Sequence, residues 1–172
     1  MPEEIYERTK DHSFWQEEQD CCNCGSFALD VTEWFCPYDN DEQYTEDYRK
    51  SVITEMYEEG FSMEDIFEAI LELDVEAILA ACPWIEPIDL TDATPEDRVV
   101  AYRLSIDEEE LAAADDVDDD FHFRVRIGGF WFEKCGCDPI RLCGTEAQTD
   151  PWVTSRYIVY TGPIKYFRFK KV

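Results

Sequence analysis

Phe121-His122-Phe123-Arg124-Val125-Arg126-Ile127-Gly128-Gly129-Phe130-Trp131-Phe132-Glu133-Lys134 is the most legible stretch of this chain. Phe121, Phe123, Val125 and Ile127 alternate with His122, Arg124 and Arg126, the period of a strand with one buried face. Gly128-Gly129 makes a two-residue hairpin turn into residues 130–134. Pairing across that turn sets Arg124 opposite Glu133 and His122 opposite Cys135. Glu133 then shares the His122 face, diagonally across from it and within reach of a long side chain.

On either side the pattern divides the chain. From Arg98, Val100, Tyr102, Leu104 and Ile106 fall on one face of a second strand. Residues 153–160, the turn Thr161-Gly162-Pro163 and residues 164–171 form another expected hairpin. Upstream the period is helical. Ala28, Val31 and Phe35 predict a short helix that begins near Cys24 and ends before Pro37. Thr45 caps an expected helix over 46–59, with Tyr48, Val52, Met56 and Tyr57 along one side and Gly60 as the stop. Ser62 with Asp65 opens another, whose stripe is Ile66, Ile70 and Leu73. A break or bend at Asp74 separates it from a third segment over 75–81, which Cys82-Pro83 ends. Helices followed by an antiparallel sheet give the class α+β. One domain over 1–172 is expected, with an acidic helical part over about 1–97 and a mainly β part over about 98–172.

Composition sets the choice of partner. The 172 residues are 45% hydrophobic and 15% aromatic, too rich for a disordered acidic tail. The formal charge is -26. Residues 1–120 carry 37 acidic and 6 basic side chains, whereas residues 121–172 carry 4 and 9. That asymmetry argues for two chemically different surfaces rather than uniform halophilic acidity. The charge opposes binding to nucleic acid or an anionic membrane, and makes a basic protein or cationic peptide the expected partner. No apolar run reaches a membrane span, and Met1-Pro2-Glu3-Glu4 lacks signal-peptide features, so a cytoplasmic chain is expected. Its eight cysteines are then thiols, metal ligands or a nucleophile rather than a disulfide framework.

Cys24 sits where a helix start stabilises a thiolate. A nucleophilic thiol also needs an imidazole and a third polar group to fix that ring. His12 lies in an unpatterned stretch, so His122 is the candidate base and Glu133 the candidate orienting group. The plainer alternatives are a buried structural thiol, a surface histidine, and a Glu133 that pairs with Arg124 across the strands.

Asn23-Cys24-Gly25-Ser26-Phe27-Ala28-Leu29, Arg98-Val99-Val100-Ala101-Tyr102, Asp120-Phe121-His122-Phe123-Arg124 and Phe130-Trp131-Phe132-Glu133-Lys134 occur in that order. Over roughly residues 22–136 this resembles the papain-like cysteine hydrolases of the NlpC and CHAP type, especially small phage and gut-bacterial members. The resemblance implies a papain-like fold with Cys24 as nucleophile, His122 as general base, and Glu133 at a third position where such members commonly have histidine. Gly25 and Ser26 depart from the aromatic residue often found after the cysteine.

Two functions of different class follow. The first is a thiol-dependent peptidase or amidase working through Cys24, His122 and Glu133, which needs no cofactor and no metal. The second is a catalytically silent acidic protein that imitates nucleic-acid phosphates and blocks a basic protein such as a defence nuclease. Zinc ligation by Cys22, Cys24, Cys135, Cys137 and Cys143 is a third, lesser option, because C-x-C is not the usual C-x2-C knuckle.

Overall fold

The computed structural model describes residues 23–31, 33–38, 42–113, 119–135, 140–145, 152–153 and 158–171. His12, Cys21, Cys22, Cys137 and most of the acidic run over 115–120 lie outside them.

Asn23 caps α1 (Cys24–Leu29): its Oδ1 accepts from Ser26 N at 3.0 Å, and Ser26 Oγ accepts from Asn23 N at 3.1 Å. The helix stops well before Pro37, because Asp30 turns left-handed at φ 59°. Phe35 reaches the core on a returning loop instead. Asn23 holds that loop, donating to Phe35 O at 2.7 Å and accepting from Phe35 N at 3.3 Å.

Thr45 caps α2 (Glu46–Glu58), and Gly60, at φ 89°, follows its end. Its fully buried positions are Arg49 and Ile53; of the expected stripe, Val52, Met56 and Tyr57 pack partly buried against the core and Tyr48 is exposed. Ser62 caps α3 (Met63–Ala81), which runs unbroken through Asp74. The expected break is absent for a chemical reason. The buried Asp74 carboxylate accepts from Arg49 Nε at 3.0 Å, Arg49 Nη2 at 2.9 Å, Tyr102 Oη at 2.6 Å and Tyr44 Oη. A fully satisfied acid is tolerated inside a helix and ties α2 and α3 to the sheet.

The remaining elements are β1 (Ile85–Ile88), β2 (Val99–Ile106), α4 (Glu108–Ala112), β3 (Asp119–Ile127), β4 (Phe130–Lys134), β5 (Ile140–Gly144), β6 (Trp152–Val153), β7 (Val159–Tyr160) and β8 (Lys165–Phe169). Six strands form one sheet in the order β1-β8-β2-β3-β4-β5, each neighbour antiparallel, while β6 and β7 pair separately. The class is therefore α+β. The β3–β4 register is the expected one, Arg124 facing Glu133. Two expectations are corrected. Strand β8 leaves β7 and inserts between β1 and β2. The sheet also begins at Ile85, in a short proline-containing edge strand that has no alternating signal.

One face of the sheet packs Val100, Tyr102, Phe123, Val125 and Phe132 against the helices. The other packs Val99, Ala101 and Trp131 against Trp152 and Tyr160 of the β6–β7 pair. Strand β2 is thus buried on both faces. Among the described residues no helix is long and apolar enough to cross a membrane.

Candidate functional site

The site forms where the β3–β4 ladder runs out. The last paired rung is Arg124–Glu133, so His122 and Cys135 lie just beyond it. Helix α1 touches both strands there, and its first residue, Cys24, brings a thiol to the imidazole.

His122 is the hub. Its Nε2 lies 2.7 Å from Glu133 Oε2, and both Cys24 and Cys135 are side-chain hydrogen-bond partners of the ring. All four residues are buried. His122 Nε2 or Nδ1, a Glu133 oxygen and Cys135 Sγ lie within 4.8 Å of one another. The ring is closed in by Tyr160, tilted against it at 5.5 Å between centroids, and by Trp152, edge-on at 6.0 Å. Tyr160 Oη in turn donates to Asp120 Oδ2 at 2.9 Å.

Glu133 contacts the histidine and also pairs with the strand neighbour. Its Oε2 also accepts from Arg124 Nε at 2.9 Å, and its Oε1 accepts from Arg141 Nη2. Arg124 is itself stacked on Trp152, its guanidinium carbon 4.3 Å from the ring centroid. Burial disfavours the Glu133 carboxylate, yet the donors from His122 and Arg124 outweigh it and lower the pKa to about 2. Burial likewise opposes charge on His122, but hydrogen bonds to Cys135, Cys24 and Glu133 hold its pKa well above the ordinary value. An ionised carboxylate thus lies behind an imidazole whose proton affinity is raised.

The fold therefore brings Cys24, His122 and Glu133 together. Cys135 joins them, as its place opposite His122 in the hairpin register allowed. Arg141, Trp152 and Tyr160 had no signal, since β5, β6 and β7 are short and their pairing is not written locally. Cys143 is nearby, with its thiol pushed up to about 12 chiefly by burial and then by Glu133.

Gly25 has a steric reason. A Cβ there would come 2.9 Å from Phe35 Cδ1 and 3.2 Å from Phe123 Cε2. The residue after Cys24 is glycine because α1 lies directly on the aromatic floor. No family model, curated protein or solved structure matches this chain.

Proposed function

We propose that this protein is a thiol-dependent hydrolase of peptide or amide bonds with a papain-like arrangement of helix and sheet. The observation that carries the proposal is the meeting of a helix-start thiol and a strand carboxylate on one imidazole, His122. Cys24 Sγ attacks the carbonyl carbon as its proton passes to His122, forming a tetrahedral intermediate. His122 returns the proton to the leaving amine, giving a thioester, and water activated by the same imidazole releases the acid and restores the thiol. Glu133 fixes the ring and stabilises its charged form. The backbone N–H of Cys24, which as the first helical residue has no intrahelical acceptor, is the candidate oxyanion donor.

A cationic substrate suits the surroundings. A cavity of about 630 Å³ is lined by Asp107, Glu108, Glu109, Asp119 and Asp120 with Ile158 and Val159. Asp120 joins it to the site through Tyr160. The test is the rate at which Cys24 is alkylated in native protein as pH varies, read by peptide mass spectrometry. Fast reaction well below pH 8.5, slowed at least about tenfold by His122→Ala, is expected of a coupled thiolate. A slow reaction indifferent to His122 sinks the proposal.

A second function is favoured by a separate observation. Helices α2 and α3 expose Glu46, Asp47, Glu55, Glu64, Glu68 and Glu72, among others. Of their two basic residues, Arg49 is buried and Lys50 pairs with Glu46 at 3.4 Å. These exposed carboxylates suit a basic protein partner held in place of nucleic acid, and such binding weakens steeply as salt rises.

A further inference from the structure

Helix α3 has no lysine or arginine among its 19 residues. Glu64, Glu68, Glu72 and Glu76 recur on it at four-residue spacing, so they form one row of its surface, and all four are exposed. Like charges at that spacing oppose a helix. No described lysine or arginine is paired with any of the four, so relief of their mutual repulsion is left to solvent ions or to a bound cation.

Beside that row lies an apolar groove of about 480 Å³, within the roughly 300–1,000 Å³ of sites that take ligand groups. Leu71 and Val75 line it from α3, and Pro87, Pro163, Ile164 and Phe167 from the sheet side, with Glu68 and Glu72 at the helical rim. Leu71 and Phe167 belong to the core, whereas Pro87 and Pro163 stand exposed and their fixed φ stiffens the edges. Pro87 also removes an N–H from the edge strand β1, which disfavours recognition by strand addition and leaves insertion of side chains. Lys165, the one cation among the described lining residues, repels a cationic group from the sheet rim and directs it to the α3 rim.

We propose that this groove is the docking site for an amphipathic basic segment of a protein partner, its apolar side chains inserted between α3 and β8 and its lysines or arginines laid on the row from Glu64 to Glu76. A row of carboxylates alone admits any polycation, and an apolar groove alone any apolar group; side by side they select a segment that carries both. Docking here rests on the second function above, a basic protein held by the acidic helices, and adds the contact that charge alone lacks.

The experiment is calorimetric titration of the full chain with a synthetic amphipathic peptide of leucine and lysine, its leucines on one helical face, beside the same peptide with serine in place of leucine. The leucine peptide should bind as a single equivalent, with a negative heat-capacity change and an affinity at least about tenfold above that of the serine peptide. Glu68→Gln with Glu72→Gln should weaken it at least about tenfold, and Glu55→Gln with Glu58→Gln on α2 should not. Val75→Glu and Pro163→Glu separate the two kinds of contact. Each adds a carboxylate, so a purely electrostatic complex holds or tightens, whereas loss of the apolar contact weakens the leucine peptide at least about fivefold. Pro163 is exposed, which keeps that variant informative should Val75→Glu not fold. Equal binding of the two peptides, leucine binding undiminished in both glutamate variants, or equal weakening by the α2 and α3 pairs overturns the groove and leaves the acidic face as a seat for a basic protein. Absence of binding by either peptide at about 10 mM salt removes both.

Discussion

Glu133 is the residue on which the charge balance of the site turns, and its effect on stability has a definite sign. Its pKa is lowered from 4.5 to about 2, so its stabilising contribution is complete above 4.5 and is lost as pH falls towards 2. His122 behaves oppositely. Its pKa is raised above 6.5, so its contribution is complete below 6.5 and disappears as pH rises through the raised value. Urea midpoints measured across pH should therefore peak between about 4.5 and 6.5 as far as this pair decides them. Glu133→Gln should flatten both limbs and destabilise by about 3 kcal/mol or more, because Arg124 and His122 are left buried beside a neutral group. An unchanged pH profile in that variant would show that the pair does not couple folding to protons. The residues of this pair were readable from alternation and one turn. Arg141, the other clamp on Glu133, was not, because nothing in Ile140-Arg141-Leu142 announces the partner of its strand.

At the scale of elements, Asp74 shows how local propensity misleads. An acid in the middle of an apolar stripe reads as an interruption, yet long-range partners on α2 and β2 make it the best-anchored position of α3. Asp74→Ala should cost about 3–5 kcal/mol, measured by urea unfolding, since it removes the acceptor of Arg49 Nε and Nη2 and of the Tyr44 and Tyr102 hydroxyls and leaves Arg49 paired with Asp119 alone. Helix α1 has a tighter constraint. Gly25→Ala should destabilise by about 1–3 kcal/mol and slow alkylation of Cys24, because Phe35 or the helix must move aside. The capped starts of α2 and α3 and the β3–β4 hairpin were legible, since caps and two-residue turns are written in adjacent residues. The end of α1 was not, because Phe35 obeys Asn23 rather than helical period. Nor was the place of β8, whose partners are far away in sequence.

For the whole molecule, charge is the dominant long-range term. With a net charge of -26 concentrated in residues 1–120, like-charge repulsion opposes the folded state and salt relieves it. Raising sodium chloride from about 10 mM to about 150 mM, where screening length falls below roughly 10 Å, should raise the thermal midpoint by several degrees. A midpoint that fell with salt would mean that solvent-accessible ion pairs such as Arg168 with Glu86 outweigh the surface repulsion. The position of β8 has a different consequence, felt during synthesis. Strands β1 and β2 both wait for it, and Glu86 is bonded to Arg168 across 82 residues of chain. At roughly 5–20 residues per second, a ribosome finishes β2 several seconds before β8 exists. For that interval two half-built strands keep unsatisfied edges in a nascent chain, so the acidic helices already made alongside them are the surface that keeps early copies from sticking to one another.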